Sequence, residues 1–375
     1  MEKLRLGFIG GGINSAVGNT HRIASQMDNR WCLESGCFSQ NDFINKDTAK
    51  EYGIANNRIY SNWREFLENE RNRLDAVCIL TPTNIHSEMV IEALDLGYAV
   101  ICEKSLASTY QQVKRIRDVA LKNKSFLAVT YNYTGYPMLR ELRSMISEGM
   151  LGRINQVNIE MPQEGFLRLN KYGQVQQPQN WRLIDEKIPT ISLDLGVHLH
   201  NIIYFLTGEK PQEVVADQDT FGHFDDVIDN VMCLARYTGG LRSQIWFSKA
   251  SLGNRNGLKI RVYGQKGSAE WFQMEPEKLK FNNIQGETKI LDRSNSTYID
   301  ESRYNRFKVG HPAGFIEAFA NHYYDIADCL IEYKERGSYI SPFVFNENIA
   351  LEGLKMMEAI SQSSVDRTWI NIPAE

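Results

Sequence analysis

The chain has 375 residues, 42% of them hydrophobic and 23% charged, with a formal net charge of −4. That is enough material for two ordinary domains with a substantial core, and the slight negative balance, with no long basic block, excludes nucleic acid as the main partner. Apolar runs fall far short of a membrane span. The six cysteines (Cys32, Cys37, Cys78, Cys102, Cys233 and Cys329) form no CxxC pair, the pattern of reduced thiols in a cytoplasmic protein. The chain enters a strand within its first residues, which predicts no signal peptide.

The first predicted element is an apolar strand over 4–9, running straight into Gly10-Gly11-Gly12. A strand that ends in Gly-x-Gly and opens a helix is the dinucleotide-binding fingerprint, in which glycines make the turn and let backbone N–H groups reach a pyrophosphate. The fingerprint is imperfect: Ser15 occupies the third position, and the next glycine, Gly18, comes three residues late. Helices are expected from about 18, then over 47–52 with Gly53 as the stop, 63–67, 85–96 and 111–121. Strands are expected at 32–38, 75–80, 99–102 and 126–130. Near-continuous apolar strands alternating with helices predict a doubly wound parallel sheet covered on both faces.

The pattern changes after about residue 150. A half-exposed strand over 154–160 and a polar stretch to Trp181 precede a helix over 191–206. Long antiparallel strands are expected from 213 to 281, with a hairpin turn at Thr238-Gly239-Gly240. Helices return at 313–332 and 348–361. The expected organisation is a Rossmann domain over 1–131, then an α+β domain over 132–375 with a large open, mostly antiparallel sheet. The last helix is expected to pack back on the first domain.

Three constellations could carry chemistry. Thr81-Pro82-Thr83-Asn84-Ile85-His86 follows a buried strand, where doubly wound sheets bind ligands, though a turn and a helix cap explain it equally well. Glu103-Lys104 leaves the next strand at the same edge, and a lysine there suits proton transfer; a surface ion pair is the plain alternative. Asp194 and His198 are four apart in the 191–206 helix, so both project from one face, with Gly196 allowing a close approach between them. A histidine with a nearby carboxylate suits alcohol oxidation, but a core histidine tied to a local carboxylate fits as well. A metal site of Asp194, His198 and His200 is disfavoured because His200 points away from that face. The cation and aromatic of Trp181-Arg182 suit a phosphate or nicotinamide neighbour, or plain packing. His223, His311 and His322 show no partner at useful spacing.

Taken in order, these pieces resemble the Gfo/Idh/MocA family. They are the glycine turn with Gly18 to His21, the strand ending Thr81 to His86, the Glu103-Lys104 step, the Asp194-x-Gly196-x-His198 helix, the segment 256–267, and Gly310 to Phe315. The resemblance implies an NAD(P)-dependent dehydrogenase oxidising a ring hydroxyl of a sugar, sugar derivative or cyclitol. Lys104, Asp194 and His198 would be catalytic, with no metal. Cofactor contacts would come from Gly10, Gly12, Ile13, Asn14, Ser15, Ser39, Thr81, Pro82, Asn84, His86, Glu103, Lys104, Asn132, Trp181 and Arg182. It also implies a homodimer or homotetramer formed through the second sheet, with 244–247 as a candidate contact.

Three departures stand out. Ser105 replaces the family's usual proline after the lysine. The glycine turn carries an insertion, Ile13 to Val17, expected to lie over the cofactor's phosphates. The second strand ends at Ser39 with no carboxylate at its tip and no adjacent base, which leaves NAD or NADP with a lean to NAD. Substrate contacts are expected within 163–182 and 303–311, where Tyr172, Trp181, Tyr304 and Arg306 suit a hydroxyl-rich ligand. A keto-sugar or imine reductase and a non-catalytic NAD(P) sensor are the alternatives.

Overall fold

The computed structural model describes residues 2–373. In chain order its elements are β1 (Leu4–Gly10), α1 (Gly18–Gln26), β2 (Trp31–Cys37), α2 (Asp42–Tyr52), α3 (Trp63–Glu70), β3 (Ala76–Leu80), α4 (His86–Asp95), β4 (Val100–Glu103), α5 (Tyr110–Asn123) and β5 (Leu127–Thr130). There follow α6 (Pro137–Ser147), β6 (Ile154–Pro162), α7 (Val197–Thr207), β7 (Pro211–Asp219), β8 (Asn230–Tyr237), β9 (Arg242–Ser248), β10 (Lys259–Gly264), β11 (Gly267–Phe272), β12 (Leu279–Asn283) and β13 (Thr288–Leu291). The chain closes with α8 (Phe315–Arg336), α9 (Glu347–Asp366) and β14 (Ile370–Asn371). These elements form two compact units. One comprises the chain up to Gly135 together with Gly314–Leu351; the other comprises Tyr136–Ala313 and the stretch from Glu352 onward.

The first unit is built on a five-stranded parallel sheet in the order β2-β1-β3-β4-β5. Leu6, Phe8, Cys78, Ile101 and Ala128 share one core with Ala24 of α1 and with Phe319, Tyr323, Ile326 and Leu330 of α8. The alternate strand residues Val77, Ile79, Val100 and Cys102 are equally buried, so both faces of the sheet are covered, as the apolar strand pattern requires. The Trp31 indole N–H donates to the Tyr323 carbonyl at 2.9 Å, fixing α8 against β2. Strand order reverses between β1 and β3, and ligands of such sheets bind beyond the strand ends at that reversal. Gly10 pairs with Leu80 across this point, so the glycine turn and Thr81-Pro82 emerge side by side.

The second unit is a nine-stranded sheet in the order β13-β12-β11-β10-β6-β9-β8-β7-β14. Its pairs are antiparallel except β6 with β9, which run parallel. Val157, Ile159, Val231, Cys233, Ile245, Phe247, Ile260, Val262 and Trp271 form its buried face.

Sequence patterning did not mark α6, β13 or β14. Helix α6 was masked by Arg140 and Glu141, charged residues that break its apolar stripe although both are buried. Each is paid for locally: Arg140 donates to the Tyr304 hydroxyl at 2.7 Å, and Glu141 accepts the N–H groups of Thr297 and Tyr298 at 2.8 and 2.9 Å.

Candidate functional site

In the first unit the glycine turn begins with Gly10 and Gly11 at φ +82° and +73°, a conformation that favours glycine. Ser15 N–H donates to the Gly12 carbonyl at 2.7 Å, and the Ser15 hydroxyl accepts from the N–H groups of Val17 and Gly18 at 3.3 and 3.2 Å. The inserted residues therefore make a self-capped turn that delivers the chain into α1. Ile13 N–H donates to Thr48 at 3.1 Å, tying the turn to α2. A Cβ on Gly18 would lie 2.0 Å from the Gly11 carbonyl oxygen. Gly18 thus performs the third-glycine job of close helix–strand packing, from a displaced position. The first turn of α1 carries no acidic residue, as an anion seat at a helix N-terminus requires. The cradle fits a dinucleotide pyrophosphate.

At the tip of β2, the Ser39 hydroxyl accepts from Asn41 N–H at 3.1 Å. Asn41 in turn caps α2 by accepting from Ile44 N–H. Beyond β3, Pro82 and Asn84 are exposed and Thr81 is half-buried, but His86 turns inward. Its ring nitrogens lie 2.8 Å from the Ser105 carbonyl and 2.7 Å from the Thr81 carbonyl, bridging the two loops. Burial lowers its pKa, and the two carbonyls oppose that without overcoming it. Glu103 also turns inward: it contacts His21 at 3.0 Å and accepts from the Thr130 hydroxyl. Lys104 is half-buried. The Lys104–Ser105 peptide is cis, and the Ser105 hydroxyl donates to the Ala107 carbonyl at 3.0 Å. Asn132 is buried just beyond β5.

In the second unit the helix expected over 191–206 carries a π-helical turn, Ser192–Gly196, and runs on as α-helix from Val197. Such turns recur at functional sites, and this one carries Asp194. Asp194 Oδ2 accepts from Arg182 at 2.5 Å and from Lys249 at 2.7 Å. The Arg182 guanidinium also lies over the Trp181 ring, 4.4 Å from its centroid. Lys249, just past β9 and nearly enclosed, lies over Phe166. Sequence reasoning missed Lys249; it is 55 positions from Asp194, and only the folded chain brings the two side chains together. Gly196 works as its position suggested, because a Cβ there would sit 2.5 Å from Met357 Sδ and 3.0 Å from Phe247. His198 is buried on α7. His200 faces α9, with Nδ1 3.1 Å from where a Gly353 Cβ would stand, and burial brings its pKa down to about 4. Among the described residues no group of three or more His, Cys, Asp or Glu side chains could hold a metal ion.

Of the substrate-contact candidates, Tyr172 is exposed, whereas Tyr304 is buried with its hydroxyl committed to Arg140. Arg293, another residue that sequence patterning did not single out, organises the 303–311 segment. Its buried guanidinium donates to the carbonyls of Tyr304, Phe307 and His311 at 2.8, 3.3 and 3.0 Å.

Comparison with known proteins agrees with this geometry. A family model described as an oxidoreductase family with an NAD-binding Rossmann fold matches residues 4–131, and one described as the GFO/IDH/MocA C-terminal domain matches 139–270. The uncharacterized oxidoreductase YfiI of Bacillus subtilis is 30% identical, covering 98% of this chain and 97% of its own length. Levoglucosan dehydrogenase of Pseudarthrobacter phenanthrenivorans is 23% identical over 100% of this chain and 99% of its own. An inositol dehydrogenase homologue from Azotobacter vinelandii, solved with NADH and myo-inositol, superimposes with a TM-score of 0.87 at 27% identity. That match covers 99% of this chain and 98% of the homologue.

Proposed function

The chain belongs to the Gfo/Idh/MocA family of NAD-binding oxidoreductases, and on that premise we propose that it oxidises a ring hydroxyl of a sugar, sugar derivative or cyclitol. The observation that carries the reading is Asp194, set in a π-helical turn and gripped by Arg182 and Lys249, with His198 one turn further on. A bound nicotinamide supplies the hydride acceptor at C4. His198 takes the hydroxyl proton as the ring C–H bond breaks with its electron pair, leaving a carbonyl. Lys104 donates a hydrogen bond to the same oxygen, and Asp194, oriented by its two cations, accepts from a neighbouring hydroxyl. The seat at Gly10, Gly12 and the α1 N-terminus takes the pyrophosphate. Ser39, with no base beside it, favours NAD over NADP. Relatives named for levoglucosan and inositol support a polyhydroxy ring as the substrate class.

The test is NADH formation by the full chain on a panel of inositols, levoglucosan and hexoses. Lys104→Met and His198→Asn should each lower kcat/KM by about 100-fold or more on the preferred substrate, the usual scale for a lost general acid or base. Full activity in both variants would sink the assignment. Tight NADH binding with no turnover in either direction would favour the sensor.

We also propose that the open face of the second sheet joins copies of the chain. Met232 and Leu234 are 54% and 51% exposed there, and Met232 pairs directly with Trp246 across strands. Glu160 and Arg261 flank this apolar band, within hydrogen-bond distance of each other. Apolar bands with charged rims mark association surfaces.

A further inference from the structure

Glu103 stands immediately before Lys104, yet its carboxylate is buried, and a buried carboxylate is tolerated only when its oxygens are hydrogen-bonded. Here the partners come from several elements. The Thr130 hydroxyl at the end of β5 donates to Oε1. His21 of α1, fully enclosed, places Nε2 3.0 Å from the same oxygen. His21 Nδ1 lies 2.7 Å from the Tyr323 hydroxyl of α8, which lies 3.4 Å from Cys78 Sγ of β3. A carboxylate only accepts, so His21 donates through Nε2 to Glu103, and its Nδ1 continues the hydrogen-bonded row through the Tyr323 hydroxyl to Cys78.

The surroundings leave this anion in place. Burial alone would raise the Glu103 pKa. Hydrogen bonds from His21 and Thr130 and the positive field of His21 and Lys104 outweigh that and bring it down to about 2. Burial pushes Cys78, Cys102, Tyr131 and Tyr323 up. These four are therefore uncharged near neutral pH, and Glu103 is the buried carboxylate among them, one residue before Lys104.

We propose that the His21–Glu103 pair is the positioning unit for Lys104. His21 lies one turn beyond Gly18, on the helix whose N-terminus seats the pyrophosphate. The pair therefore registers the cofactor cradle against the strand end that presents Lys104. This inference rests on the proposed dehydrogenase reading for the use made of Lys104, but its test does not need turnover. The rate of Lys104 acetylation at a fixed pH, followed by competitive labelling and mass spectrometry on the full chain, reports how the strand end presents the lysine.

Glu103→Gln keeps the volume and removes the charge. It should change the Lys104 labelling rate at fixed pH several-fold and weaken NADH binding several-fold. Glu103→Asp keeps the charge but withdraws it from His21, so it should also weaken NADH binding. A Lys104 labelling rate and an NADH affinity both unchanged in folded Glu103→Gln overturn the proposal, whatever the enzyme's substrate proves to be. If that variant does not fold, carboxyl carbon NMR of the wild-type chain decides. Glu103 must still be ionised at pH 4, and protonation there overturns the proposal too. A dehydrogenase assay that fails on every ring polyol, with the change in Lys104 labelling present, refutes the catalytic reading and leaves the positioning unit standing.

Discussion

Replacing Gly18 with alanine asks whether the displaced glycine does the work of the missing third one. The new Cβ would lie 2.0 Å from the Gly11 carbonyl oxygen, 2.4 Å from its carbon and 2.7 Å from its Cα, where ordinary contact starts at 3.4 Å. The obstructing atoms are backbone of the cradle itself, so no side chain can swing away, and α1 must retreat by more than an ångström. Overpacking of this kind costs about 1–3 kcal/mol, and a backbone clash belongs at the upper end. At about 2–4 °C per kcal/mol for a unit of this size, the melting temperature should fall by roughly 6–12 °C. The same retreat pulls α1 N–H groups off the pyrophosphate. Losing one hydrogen bond to a charged group, about 1.5–3 kcal/mol, should weaken NADH binding roughly 10- to 100-fold in a fluorescence titration. Two controls set the scale. A Cβ at Gly12 meets only 3.1 and 3.2 Å contacts, to the Phe38 carbonyl and the Asn14 side chain, so Gly12→Ala should be the milder change. Gly53 has φ +73° and open space, so Gly53→Ala should cost about 1–2 kcal/mol of backbone strain and leave NADH affinity unchanged. If Gly18→Ala melts and binds NADH as the wild type does, Gly18 is not the third glycine.

Lys249→Met removes one of the two cations on Asp194; kcat/KM should fall about 10- to 100-fold, with NADH affinity within twofold of wild type. Unchanged kinetics would show that Asp194 does not act through this pair. Met232→Lys combined with Leu234→Glu places charges on the open sheet face and should yield a 43.1 kDa particle by light scattering, against a multiple of that mass for the wild type. A wild-type chain that already runs at 43.1 kDa removes the assembly proposal.

The apolar strands of the first unit were legible because parallel strands buried on both faces leave no polar alternation to confuse. Their bounds differ from the expected ones by a residue or so at Trp31–Cys37 and Val100–Glu103. Gly53 ends α2 in the left-handed conformation its position implied. The turn at Thr238–Gly240 joins β8 and β9 as the paired glycines suggested. Features that depend on distant partners were not legible. Arg140 and Glu141 look like surface charges until Tyr304 and the Thr297 and Tyr298 amides are seen to meet them. The π-helical turn at Ser192–Gly196 has no local signature, since Ser-Leu-Asp-Leu-Gly reads equally well as ordinary helix.

Glu103 and His86 are the sharpest case. Both sit in motifs that point at a cofactor, and both spend their polar atoms inside the first unit. The spacing between Gly18 and His21 explains why an insertion before them is harmless. The third glycine's task is steric, so its distance from Gly12 can vary as long as the intervening turn caps itself, which Ser15 does with two backbone N–H groups. The distance from Gly18 to His21 cannot vary, because one helical turn separates the point where α1 touches the cradle from the point where its imidazole meets Glu103. An inserted residue before Gly18 lengthens a surface turn. An inserted residue between Gly18 and His21 would rotate the imidazole by about 100° about the helix axis and leave a carboxylate buried without its partner. The imperfect fingerprint is thus two rigid pieces with a tolerant joint between them, and the second piece is the one that ties the pyrophosphate seat to the lysine.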